Sequence, residues 1–218
     1  MDWQSAKAVV EKVKKYGDVT VVCATKTVSP SVMNGIYDQL GLDIVGENRV
    51  QELLSKYEEA SACKRWHFIG QLQTNKVKYI IDKVELIQSL DRLSLAKEVQ
   101  KQAEKIGKVQ EVLVEVNMAG EETKGGATPD STLCFIEELE ALKNVKVRGI
   151  MSVLPNLEDK TLLDGYYKNL YKLYEEVKRN KSGIDYLSAG MSGDWERAVG
   201  HGANMIRLGS ILFGKRVY

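Results

Sequence analysis

Apolar positions along this chain switch repeatedly between two spacings. Trp3, Ala6, Val9, Val10 and Val13 fall on one face of segment 2–16, which predicts an amphipathic helix that stops near Gly17. The next segment, VTVVCAT at 19–25, is β-branched and apolar almost throughout, the pattern of a strand buried on both faces. The pattern then recurs. Further strands are predicted at 43–45, 65–69, 86–89, 110–117, 146–151, 185–189 and 204–208. Helical patterns lie between most of them, at 29–40, 48–59, 75–82, 92–106, 129–142 and 157–179, with a short helix after Ser192. Pro129 and acid-rich turns open the helix at 129–142, as helix N-termini favour.

Eight strands alternating with helices imply parallel pairing through right-handed crossovers. The expected fold is therefore α/β: a single (β/α)8 TIM barrel with one extra helix in front, spanning residues 1–218 as one domain. A doubly wound open sheet competes, but it usually has six or fewer strands and a glycine-rich first turn. The first turn here, TKTVSP, has no glycine. The barrel reading carries a consequence, because residues at the C-terminal ends of the strands gather at one mouth. Those positions are Lys26, Glu47, Asn48, His67 to Gly70, Asn117, Met151, Ser152, Ser188 to Ser192 and Arg207 to Ser210.

Composition narrows the function classes. The 31 basic and 30 acidic residues leave a net charge of +1, which gives nucleic-acid or anionic-membrane binding no support. No apolar run approaches the roughly 18 residues of a membrane span, and Met1-Asp2 opens a helix rather than a leader. Cys23, Cys63 and Cys134 are odd in number and far apart, which argues against a disulfide framework and a C-x-x-C metal site. The two histidines, His67 and His201, are too few for a His-rich metal site. These features together predict a cytoplasmic protein without a bound metal.

Lys26 closes an almost wholly apolar strand. Taken alone, a solvent-exposed lysine at a strand end is the commoner case. In a barrel mouth, however, desolvation disfavours the ammonium, and a neutral amine attacks aldehydes to form an imine. Two small, hydroxyl-rich turns shift the balance: SAGMSGD at 188–194 after strand seven and RLGS at 207–210 on strand eight. Barrels often bind phosphate at these two loops, where backbone N–H groups and the Ser210 hydroxyl are available. Tight turns that use glycine for positive φ are the plain alternative. Arg207 keeps its proton, so a pyridine nitrogen beside it would stay unprotonated; an Arg paired to a neighbouring acid is equally compatible. His67, in WHFIG, reads as a hydrogen-bonded structural imidazole before a catalyst. His201 reads as a cap or surface residue.

Taken in order, VVCATKTVSP, GENRVQE at 46–52, WHFIGQLQTNK at 66–76, VEVNMAGEETKGG at 114–126, RGIMSVLP at 148–155, LSAGMSGDWERAV at 187–199 and MIRLGSILFG at 205–214 resemble the pyridoxal phosphate homeostasis proteins. The resemblance implies the alanine racemase N-terminal barrel, fold type III, with bound pyridoxal 5′-phosphate. It implies that Lys26 forms the Schiff base and that Ser192, Gly209 and Ser210 hold the phosphate. It also implies that Arg207 faces the pyridine nitrogen, that Asn48 and Met191 line the cofactor, and that His67 lies close to it. Two positions depart from the family pattern. Ser210 stands where Thr is common and keeps the hydroxyl, and Trp195 stands where Phe or Tyr is usual. Racemases of this fold bring a catalytic tyrosine from a second domain, whereas this chain ends at Tyr218, directly after the barrel. The expected role is buffering and delivery of the cofactor to apo-enzymes without turnover, as a monomer or weak homodimer. A small amino-acid racemase is the alternative.

Overall fold

A computed structural model describes residues 1–121 and 125–214. Eight parallel strands form a closed barrel in chain order: β1 (Thr20–Ala24), β2 (Ile44–Glu47), β3 (Arg65–Phe68), β4 (Leu86–Leu90), β5 (Gln110–Glu115), β6 (Val145–Met151), β7 (Tyr186–Met191) and β8 (Met205–Leu208). Closure is made by β1 against β8, with Val22 opposite Arg207 and Cys23 opposite Leu208. The barrel predicted from the alternating pattern is the observed architecture, and the open-sheet alternative is ruled out.

Helices surround the barrel. α1 (Trp3–Lys14) comes first, its N-terminus capped by Asp2, whose carboxylate accepts from the N–H groups of Gln4 and Ser5 at 3.1 Å each. Next come α2 (Pro30–Asn34), α3 (Ile36–Leu40), α4 (Val50–Tyr57), α5 (Leu93–Lys105) and α6 (Thr132–Glu140). α7 (Lys160–Asn180), α8 (Trp195–Gly200) and α9 (Ser210–Phe213) complete the set. Asp159 caps α7 through the N–H groups of Thr161 and Leu162.

Two predicted helices differ in form. The helix expected over 29–40 is split into α2 and α3 at Gly35, where the Trp3 ring of α1 packs so closely that a Cβ would lie 3.0 Å from it. The segment at 75–82 forms only a 3-10 turn over Thr74–Tyr79. The short helix α9, directly after β8, is additional to the predicted elements.

Apolar side chains pack in two layers. Val22, Ile44, Ile69, Leu86, Leu113, Met151 and Met205 fill the barrel interior. The alternate strand residues, Val21, Cys23, Val45 and Phe68 among them, pack outward against helix residues such as Leu53, Leu95, Leu170 and Leu173. This two-sided burial explains why the strands read as continuous apolar runs. The three cysteines are unpaired. Among the described residues no helix is long and apolar enough to cross a membrane, and no cluster of metal-ligating side chains is present.

Leu113 is fully buried at the centre of the inner layer. Leu113→Ala should lower the unfolding free energy by about 2–5 kcal/mol. Urea denaturation checks this, with a midpoint shift and an unchanged slope as the expected result.

Candidate functional site

A cavity of about 480 Å³ opens at the C-terminal ends of the strands, a size typical of small-molecule sites. Seven of the eight residues singled out from the sequence line it: Lys26, Asn48, Met191, Ser192, Arg207, Gly209 and Ser210. They come from opposite ends of the chain. Lys26 follows β1, whereas Gly209 and Ser210 follow β8, and the pairing of these two strands brings them together.

The loop ends after β7 and β8 meet at one hydroxyl. Ser192 Oγ accepts hydrogen bonds from the N–H groups of Gly209, at 3.1 Å, and Ile211, at 3.2 Å. Its own O–H remains to be donated, while the two N–H groups are spent on holding that hydroxyl in place. Gly70 serves a different need. A Cβ there would lie 2.2 Å from the Asn48 carbonyl oxygen, so only glycine lets the loop after β3 pass behind Asn48.

Arg207 is buried in the barrel interior, where its guanidinium is held by neutral partners. Nη1 donates to Ser188 Oγ at 2.7 Å and to Ser188 O at 3.1 Å, and Nη2 donates to Ser152 O at 2.9 Å. Burial lowers its pKa from the usual value, opposed by the charge of Glu115. The bonds continue inward. Ser188 Oγ donates to Gln88 Oε1 at 2.7 Å, and Gln88 Nε2 meets His67 Nδ1 at 3.0 Å. A chain of polar side chains thus runs from the cavity floor down the barrel axis, ending on His67.

His67 is not part of the cavity wall. It lies below it, 2% exposed, bonded to Gln88, which matches the reading of a structural imidazole. Burial depresses its pKa to about 4, so it is neutral at pH 7. His201 caps α8 and bonds Asp164 at 2.9 Å, outside the cavity. Asn117 turns toward its own loop, where Nδ2 donates to the Glu121 carbonyl at 2.9 Å. Tyr218 and residues 122–124 of the VEVNMAGEETKGG motif lie outside the described residues.

Some cavity residues were not singled out from the sequence. Asp194 accepts from the Met191 N–H at 2.7 Å and from the Tyr167 hydroxyl at 2.6 Å, which ties the loop after β7 to α7. Its place directly before α8 was the available signal, since Asp is a preferred cap. Lys160, exposed at the start of α7, reaches the cavity with no local sign in the sequence. Gln88, buried and outside the cavity wall, was detectable as the amide within the buried strand LIQSL.

A closed parallel barrel with an amine and two serine hydroxyls at its C-terminal mouth defines the alanine racemase N-terminal domain class, whose family model matches residues 6–217. The pyridoxal phosphate homeostasis protein of Aquifex aeolicus is 49% identical over 197 residues, 89% of this chain and 86% of that protein. The protein of the same name from Synechocystis is 35% identical, with 91% and 92% coverage. Among solved structures, PipY of Synechococcus elongatus with pyridoxal phosphate bound superposes with a TM-score of 0.86 at 25% identity, covering 96% of this chain and 99% of that one. The chain belongs to the family of pyridoxal phosphate homeostasis proteins.

The low pKa of His67 sets a pH dependence. In the unfolded chain a histidine titrates near 6.5, so at pH between 6.5 and about 4 the unfolded state binds the proton and the folded state does not. Stability from this group is present above 6.5 and is lost as pH falls toward 4, by about 3 kcal/mol in all. His67→Gln, which cannot titrate, should remove that part of the acid dependence. Urea unfolding of both proteins from pH 7 to 4 checks it, and parallel curves would contradict the assignment.

Proposed function

We propose that this chain binds pyridoxal 5′-phosphate covalently through Lys26 and serves vitamin B6 homeostasis in the cytoplasm, buffering the cofactor and delivering it to apo-enzymes without turnover of its own. The observation that carries this reading is the meeting in one cavity of a strand-end amine, the Ser192 and Ser210 hydroxyls and a buried guanidinium. The names of the relatives and the ligand of PipY support it.

When bound, pyridoxal phosphate supplies an aldehyde that condenses with an amine, a phosphate and a pyridine ring. The chain's own residues divide the work of holding it. Lys26 presents Nζ, which reacts only as the free amine. Ser192, Gly209 and Ser210 would hold the phosphate, the two serine hydroxyls as donors and the Gly209 N–H by keeping the Ser192 hydroxyl in place. Arg207, immobilised by Ser188 and Ser152, would face the pyridine nitrogen, and a group that keeps its proton leaves that nitrogen unprotonated. A weak electron sink of this kind suits storage better than carbanion chemistry. Asn48 and Met191 would flank the ring. Delivery needs access for a second amine, and Met191 and Ser210 at the rim are exposed.

Lys26→Ala should stay folded and lose both the visible Schiff-base band and the borohydride-fixed adduct, as read by absorbance and peptide mapping. A persistent band would overturn the role of Lys26. Ser210→Ala should weaken binding by about 1.5–3 kcal/mol, roughly ten- to a hundred-fold in Kd, because a hydrogen bond to a charged group is lost. An unchanged Kd would remove Ser210 from the phosphate site. Exchange of the Cα proton of alanine or serine in D2O at enzymatic rates would replace the carrier with a racemase.

A further inference from the structure

Lys26 lies between a buried threonine and a strained one. Thr25 is fully buried, whereas Thr27, at the rim, has φ of +67°, the left-handed region. No other non-glycine among the described residues adopts positive φ. A β-branched residue stays in that region only where its surroundings over-determine it.

The surroundings are three charged residues from β2 and α4. Lys56, 7% exposed, spends all three ammonium donors: on the Thr25 carbonyl at 2.8 Å, Glu47 Oε1 at 2.9 Å and Glu52 Oε1 at 2.6 Å. Glu47 Oε1 also accepts from the Thr25 hydroxyl at 2.7 Å, and Glu52 Oε1 also accepts the Thr27 N–H. The residue before Lys26 is thus held by its carbonyl and hydroxyl, and the residue after it by its N–H. All three contacts lead back to one ammonium.

Such a cluster is expensive as a source of stability. Glu47 is fully buried, its Oε2 has no partner, and burial raises its pKa despite the bonds from Lys56 and Thr25. A buried ion pair often contributes no more than an apolar packing would, and its best-attested use is to specify one arrangement over others. The arrangement specified here is the backbone on either side of Lys26.

We propose that the Glu47–Lys56–Glu52 triad is the positioning device for Lys26, locking Thr25 and Thr27 so that the amine is aimed into the cavity before any ligand arrives. The proposal rests on the reading of Lys26 as the Schiff-base lysine. None of the three residues lines the cavity; they act through the two threonines.

Lys56→Met would strand Glu47 without its counter-charge and risks misfolding. Glu52, part-exposed on α4, is the cleaner site. In cofactor-free protein, Glu52→Leu should leave the melting temperature nearly unchanged and speed hydrogen exchange of the Thr27 amide at least tenfold, as measured by NMR. Glu52→Gln keeps an acceptor for that amide and should retain its protection. Added pyridoxal phosphate, fixed with borohydride and mapped, should label Lys26 of Glu52→Leu at least tenfold more slowly than wild type. Adding Thr27→Gly to Glu52→Leu should recover most of the rate, because glycine adopts positive φ without being held. Wild-type Thr27 exchange and labelling rate in folded Glu52→Leu would overturn the triad's role. An adduct on a different lysine in the wild-type protein would instead overturn the reading of Lys26, and with it the purpose assigned to the triad.

Discussion

The structure depends on the hydrogen bonds that join β1 to β8. These strands are the first and the last in the chain, and no local signal pairs them. Once the six strands between them have each added one rung of twist, the only unpaired edges left face each other, and closure satisfies both. The register Val22 to Arg207 and Cys23 to Leu208 then sets Lys26 beside Gly209 and Ser210. Site assembly and barrel closure are one event.

Closure also creates the interior in which polar groups must find one another. Arg207, Ser188, Gln88 and His67 come from four different strands and would each be costly inside a barrel filled otherwise by Val22, Leu86, Leu113 and Met205. Linked end to end, they satisfy one another. The neutral imidazole at the foot of the chain and the guanidinium at its head belong to one connected structure. His67 thus supports the cavity floor from below without lining it.

Much of this was legible in the chain itself. Continuous apolar runs of strand length, spaced by helical periodicity, yield a parallel barrel because both faces of each strand are covered. The mouth residues follow from the strand ends. What resisted reading was of two kinds. Gly35 divides one helix at the point where the Trp3 ring packs against it, a tertiary contact invisible to periodicity. Lys56, Glu52 and Gln88 draw their importance from partners on other elements, and an i, i+4 Glu–Lys pair on a helix ordinarily reads as a surface pair. Only the burial of Glu47 beneath Thr25 changes its meaning.

The link from Asp194 to Tyr167 fastens one wall of the cavity to the outer layer of helices as well as to the barrel. The segment carrying Met191 and Ser192 is held twice: Met191 pairs with Arg207 on β8 and Ser192 accepts from Gly209 and Ile211, while Asp194 moors the same segment to the longest helix on the outside of the molecule. The opposite wall, with Lys26, is anchored to the ring. Both walls therefore stand on the ring, and α7 braces one of them from outside. α7 also reaches the cavity itself through Lys160 and Leu163, so the seating of that helix against the sheet bears directly on this wall.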